Sequence, residues 1–241
     1  MGNYLVDTTS KHCYNQTMIN ITKPYDYSDL RRIDGKKRLY QTPDGGKVPS
    51  VTTILDATSD KTHLIAWRKR VGEDKAKQIT REAAGVGTSM HGFLEEYTKG
   101  EPLSHKSNLV HIQGRKMAEK VIELGLSKVD EVWGSEVHLY YPELYAGTTD
   151  LVGVHNGVPA IMDFKQTNKP KKEEWIDNYK MQGAAYALAH NYLFETDIQK
   201  IVIMMCSRDF QYQEFVIEGE QFDHWSEQWS QRITQYLGLQ G

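Results

Sequence analysis

The hydrophobic period of the chain changes near residue 129. Val129 to Tyr141, Ala146 to His155 and Val158 to Thr167 are rich in β-branched and aromatic residues and predict three consecutive strands. Glu173 to Tyr192 predicts a long helix, Ile198 to Cys206 and Tyr212 to Ile217 two more strands, and Phe222 to Leu237 a closing helix. The first half reads differently. Residues 1 to 35 are polar and irregular, and "RLYQTPDGGKVPSVTTIL" predicts two strands joined at Pro43-Asp44-Gly45-Gly46. From Asp60 to Tyr97 the period is helical. Leu64, Ile65, Trp67, Arg68 and Val71 fit one helix, and Ala76, Ile79, Ala83 and Ala84 a second. "GTSMHGFLEEYTKG" fits a third, with Thr88 or Ser89 as N-cap and Gly100 as the stop. Residues 105 to 124 predict another amphipathic helix. The expected class is α/β of the α+β type, one domain over residues 1–241. An N-terminal hairpin and helical cap (1–125) precede a core (126–241) with the order βββαββα.

One hairpin in that core carries unexpected charge. Asn156-Gly157 between apolar runs is a type I′ turn signal, because both central residues of that turn need positive φ. Counting back from it, Val152 faces Ile161, Leu151 faces Met162 and Gly153 faces Ala160. Asp150 then faces Asp163. Lys165, two residues on, shares the face of Asp163, with Thr148 opposite it. Both faces are apolar near the turn, and the polar residues gather at the far end. Like charges directly opposed destabilise a sheet. A shared proton, a lysine or a divalent metal would relieve them. A structural reading has Lys165 neutralising one carboxylate at a frayed sheet end. One lysine against two aspartates leaves a net negative pocket, however, and that suits a hard cation such as Mg2+.

Composition narrows the setting. The 241 residues have 39% hydrophobic and 25% charged side chains and a formal net charge of −3, ordinary for a globular chain. Any nucleic-acid contact must therefore come from a local basic track. Cys13 and Cys206 form no CxxC pattern, so a disulfide framework or zinc site is not expected. The N-terminus has no apolar or Arg-rich targeting pattern, and Val6 stands where myristoylation of Gly2 would want Ser or Thr. No stretch approaches 18 apolar residues, so no membrane association is expected. A reducing cytoplasm, bacterial or phage-infected, is the expected location.

Asp150 followed by Asp163-Phe164-Lys165 on the next strand resembles the PD-(D/E)xK nuclease pattern. "GTTD" is similar to the Gly-x-x-Asp motif of the RecB-like branch, "QGAAY" to its Gln-x-x-x-Tyr motif and "GTSMH" to its upstream histidine motif, in the branch's order. "PSVTTIL" followed by "WRKR" resembles the mitochondrial genome maintenance exonucleases and related phage exonucleases. Many relatives carry Glu where this chain has Asp163. The resemblance implies a restriction-endonuclease-like core, a central mixed sheet flanked by helices, and a metal-dependent deoxyribonuclease of DNA repair or replication. Its substrate would be DNA, single-stranded and taken from an end. Asp150 and Asp163 would hold Mg2+ or Mn2+ with the Phe164 carbonyl and His91. Lys165 would position or deprotonate the attacking water, which as a base requires a depressed pKa. A structure-specific endonuclease on the same core, or a non-catalytic DNA-binding subunit, are the alternatives.

Several residues keep more than one reading. His91 is a metal ligand by resemblance or a histidine satisfied at a helix start. Gln182 and Tyr186, at i and i+4, share a helix face with Trp175 and Tyr179. That face is either an aromatic core stripe or a pair of site residues, catalytic by resemblance. Glu136 is an extra metal ligand, a carboxylate supporting the ligands from behind, or a solvated edge residue, and Glu95, one turn after His91, is a further candidate. Ser50, Thr52, Arg68, Lys169, Lys171 and Arg208 are candidate phosphate contacts, with Lys69, Arg70 and Lys172 beside them. Trp67, Trp175 and Tyr186 are candidate stacking platforms.

Overall fold

Five strands make the central sheet of this computed structural model, which describes residues 19–35, 37–105 and 107–240. Gly2, Val6 and Cys13, with the rest of residues 1–18, lie outside the described residues. The strands are β4 (Val129–Tyr141), β5 (Tyr145–His155), β6 (Val158–Thr167), β7 (Lys200–Ser207) and β8 (Tyr212–Glu218), in that spatial order. Only β6 and β7 run parallel, joined by the crossover helix α5 (Asp177–Phe194). The sheet is therefore mixed, and α6 (Glu220–Gly238) closes the chain. The α+β class with helices on a mixed sheet is borne out.

Each face of the sheet has its own core. On one face Val152, Ile161, Ile201 and Ile203 pack against α5, α6 and α1 (Val51–Thr58). On the other, Leu151, Met162, Phe164 and Met204 pack against α3 (Glu73–Thr98) and α4 (Leu109–Leu124). Alternate strand residues supply the two faces, as a doubly covered sheet requires. Gly183 lets α5 come close, since a Cβ there would lie 2.3 Å from Ile201 Cγ2. No helix among the described residues is long and apolar enough to cross a membrane.

The N-terminal part departs from expectation twice. The expected strand through Val51–Leu55 is a helix, α1. Its buried residues are Val51, Ile54, Leu55 and Thr58, a 3.6-residue period concealed in a β-branched run. Ser50 begins that helix, its Oγ accepting a hydrogen bond from the Thr53 N–H at 3.0 Å. The two strands that remain, β2 (Leu39–Gln41) and β3 (Lys47–Pro49), pair around the predicted turn and are joined by β1 (Arg31–Ile33).

The second departure is α3, one unbroken helix of 26 residues where two were expected. Thr88 and Ser89 lie inside it and cap nothing. Gly85 and Gly87 each cost about 1 kcal/mol in a helix interior, and packing offsets this. Ser89 Oγ hydrogen-bonds His111 Nδ1 of α4 at 2.8 Å, and Gly114 of α4 sits so close that a Cβ there would be 2.5 Å from Ser89 Oγ. In contrast, α2 (Thr62–Val71) buries none of its residues.

Candidate metal centre and active site

The Asn156-Gly157 turn forms as predicted, with φ of +48° and +76°. It sets the counted register, Leu151 opposite Met162 through His155 opposite Val158. The ladder stops at Leu151. Asp150 and Asp163 are therefore not ladder partners, nor are Thr148 and Lys165, contrary to the simple count. Beyond this point β5 stays with β4 while β6 stays with β7 through Thr167, so the sheet forks. Opposed carboxylates disfavour closure there. Asp150 instead accepts the Phe164 backbone N–H on Oδ2 at 2.6 Å, a charge-assisted bond that replaces the ladder.

Three donors meet at the mouth of the fork. His91, from α3, places Nδ1 3.3 Å from Asp150 Oδ1. Glu136 lies on β4 between the pairs Ser135–Leu151 and Val137–Thr149, level with Asp150. It is skipped by the ladder because its φ is +55°, a left-handed conformation that costs a non-glycine residue about 1 kcal/mol or more. Ligand atoms of His91, Glu136 and Asp150 all lie within 4.8 Å of one another. Glu95 is not in this group and is paired with Lys99 at 2.5 Å. The β4–β5 count could have decided between the readings of Glu136. Partners across Tyr141 and Tyr145 place it opposite Asp150, but that turn lacks a signal as strong as Asn-Gly.

Asp163 is buried and ion-paired to Lys165. The Lys165 ammonium also sits 5.0 Å from the centre of the Tyr179 ring. Behind it, Gln182 Nε2 donates to Tyr186 Oη at 3.2 Å. The Tyr186 ring packs on Gly147, where a Cβ would come within 2.8 Å of it. That contact couples "GTTD" to "QGAAY": the glycine exists so that the tyrosine can close on the strand carrying Asp150.

The charges perturb one another. Burial pushes Glu136 up to about 7, helped by Asp150 and Glu95. Burial and Asp150 likewise push Asp163 to about 6, against the pull of Lys165. Burial alone would raise Asp150, but His91 and Lys165 outweigh it and hold that carboxyl below its usual value. Burial would lower His91, and Asp150 more than reverses this. Burial would also lower Lys165, but Asp163 and Asp150 raise it overall. These neighbours do not produce the depressed lysine that a base would require. They hold an ammonium. One imidazole nitrogen and two carboxylates within 4.8 Å, with a third carboxylate in electrostatic reach, is a donor set that fits Mn2+ or Mg2+.

The candidate DNA contacts spread around the fork. Thr52 is exposed and lines a groove of about 360 Å³ that reaches Gln182 and Tyr179. Ser50 is buried, its hydroxyl taken up in capping α1, so it is not presented to a phosphate. Lys169 and Lys171 line a second groove of about 380 Å³. Arg208 sits at the same sheet end, its guanidinium 4.0 Å from Glu82 of α3. Arg68, Lys69 and Arg70 are exposed on α2, with Trp67 half-buried beside them. Trp175 is 58% exposed, whereas Tyr186 is buried and offers no stacking face.

No family model matches the chain. It is similar to the human protein mitochondrial genome maintenance exonuclease 1, with 27% identity over 204 residues, covering 78% of this chain and 58% of that protein. The mouse protein of the same name is 26% identical over 209 residues, covering 80% and 60%. The chain thus spans about three-fifths of the length of these curated relatives. A solved structure of a candidate exonuclease from Eubacterium rectale overlays with a TM-score of 0.46 at 11% identity, covering 61% of this chain and 63% of that one. The resemblance carried by the motifs is matched by similarity along most of the chain to exonucleases of the group it named.

Proposed function

We propose that this chain is a divalent-metal-dependent DNA exonuclease, acting on single strands from an end. The observation that carries the reading is the convergence of His91, Glu136 and Asp150 at the fork, beside the Asp163–Lys165 pair. The exonuclease names of the curated relatives support it.

In this reading His91, Asp150, Asp163, the Phe164 carbonyl and also Glu136 would hold Mg2+ or Mn2+. The ion would polarise the scissile phosphate and lower the pKa of a bound water. The chain's own groups do the rest. Lys165, kept as an ammonium, orients the attacking water and offsets charge growing on the phosphoryl oxygens. Asp163 fixes the direction of that ammonium. Gln182 and Tyr186 form the wall against which the β5 prong is held. Lys169, Lys171, Arg208 and Arg68 contact phosphates of the strand, which gives sequence-neutral and salt-sensitive binding, and Thr52 meets a phosphate at the cleaved end.

Digestion of end-labelled linear and of circular single strands, with Mg2+, with Mn2+ and with chelator, tests this. Metal-dependent loss of the linear strand with circles intact is expected. Cutting of circles would replace the exonuclease with an endonuclease. Binding without cutting under any metal would leave a DNA-binding subunit.

A further inference from the structure

Two grooves meet at one side chain. The groove of about 360 Å³ runs between α1, the start of α2 and α5, and the groove of about 380 Å³ runs along the segment after β6 beside α3. Tyr179 lines both. Its ring also lies 5.0 Å from the Lys165 ammonium, so the two grooves meet beside the catalytic lysine.

They differ in chemistry. The second groove carries Lys169, Lys171 and the exposed Trp175, and no carboxylate is among the described residues lining it. Gln166 also faces this groove, and its amide Nε2 is buried without a hydrogen-bond partner. Cations and an exposed indole are what phosphates and unpaired bases need. The first groove carries Asp56, Asp60 and Lys61, and the Lys61 ammonium is already paired with Asp56 at 2.9 Å. Its local charge is net negative, which repels a polyanion.

We propose that Tyr179 divides the path of the strand: the basic groove holds the undegraded single strand, and the acidic-rimmed groove receives and expels the short product. This rests on the nuclease reading above and adds a direction to it. The basic groove is a base-stacking and phosphate site for the long strand. The other groove is built to bind weakly, so that cleaved nucleotides leave.

The test is binding of a long and a very short labelled single strand to the full chain, in chelator, across a salt series. The double variant Lys169→Ala/Lys171→Ala should weaken the long strand and flatten its log–log salt slope by about 1.4, at about 0.7 for each phosphate no longer neutralised. Trp175→Ala should weaken it roughly tenfold. Asp56→Asn, which frees Lys61, should leave the long strand unchanged, tighten the short one severalfold and slow product release in multiple turnover. An unchanged salt slope in the double variant overturns the proposal. So does an equal effect of Asp56→Asn on long and short strands. Both outcomes are read in chelator without cutting, so a wild type that binds but fails to cut with metal overturns the nuclease reading alone. A wild type that neither binds nor cuts overturns the nuclease reading itself.

Discussion

The β5–β6 hairpin carries a polar cluster at each end, and the two are built on different rules. At the turn end, Lys128 Nζ reaches both Glu214 oxygens at 3.0 Å, and Tyr212 Oη donates to the same carboxylate at 2.6 Å. Lys200 Nζ donates to the His155 carbonyl at 3.1 Å, and Asp130 accepts the Gly157 N–H at 2.6 Å. Burial keeps His155 below its usual pKa, hence neutral, even with Glu214 nearby. Each charge there has an opposite charge or a backbone partner. At the fork, Glu136, Asp150 and Asp163 face His91 and Lys165, while the nearby Lys99 is already paired with Glu95. A balanced set cements a fold, whereas carboxylates crowded together leave a place for a cation. Charge in a buried hairpin is therefore informative only when its balance is counted.

Breaking the two ends should separate activity from stability. Asp150→Asn should lower kcat by at least about 10³, and Lys165→Ala by about 10²–10³, the scale of losing one charge-stabilising group. In both, the loss of turnover should outweigh a loss of stability, which comes from His91 losing its carboxylate in the first and from the buried Asp163 losing its ammonium in the second. Normal turnover in either variant would displace the site from the fork. Glu214→Ala should do the reverse. It removes three charge-assisted bonds, two from Lys128 and one from Tyr212, and because the Lys128 ammonium can be resolvated the cost should be about 1–2 kcal/mol by urea denaturation with kcat intact.

The contrast also shows what the sequence could disclose. The turn end was legible because Asn156-Gly157 dictates a register by local sterics alone. The core strands were legible because they are doubly covered and continuously apolar. The fork was half legible. Counting correctly gathered Asp150, Asp163 and Lys165 at one end of the hairpin, but it could not show the strands parting before Asp150. That parting depends on Asp150 taking the Phe164 N–H, a choice among competing partners. His91 was placed by motif and, correctly, in a helix, but the start of that helix was misplaced, since the glycines and hydroxyls before it imitate an N-cap. Only contacts with α4 and β6 reveal that α3 runs on. Glu136 kept more than one reading in the sequence because the left-handed backbone conformation that accompanies its place at the fork has no local signal.

Metal binding should sharpen the comparison next. Ligation requires deprotonated donors. Glu136 has its pKa pushed up to about 7 and His91 is also raised, so protons compete with the cation at neutral pH. Mn2+ affinity should be flat well above pH 7 and fall by up to about tenfold per unit below it, with proton release on binding. Calorimetry in two buffers of different ionisation enthalpy reads both. Glu136→Gln should remove much of the slope. An affinity independent of pH from about 6 to 8 would take Glu136 out of the shell.

The smallest effect belongs to the turn. Gly157 has φ +76°, and an added Cβ would meet nothing within 4 Å. Gly157→Ala therefore introduces backbone strain alone, of about 1–2 kcal/mol. The strain falls at the end where the ladder is complete, and the pairs from His155–Val158 to Leu151–Met162 hold the register against it. Urea denaturation should show that loss with no change in kcat or in metal affinity. If the fork instead depended on the turn for its geometry, the same substitution would lower activity as well. Metal affinity measured on the folded variant, well below its urea midpoint, separates the cases. An unchanged value means that the fork is held by α3, α5 and the β4 and β7 neighbours, and that the turn only sets the register those elements then pull apart.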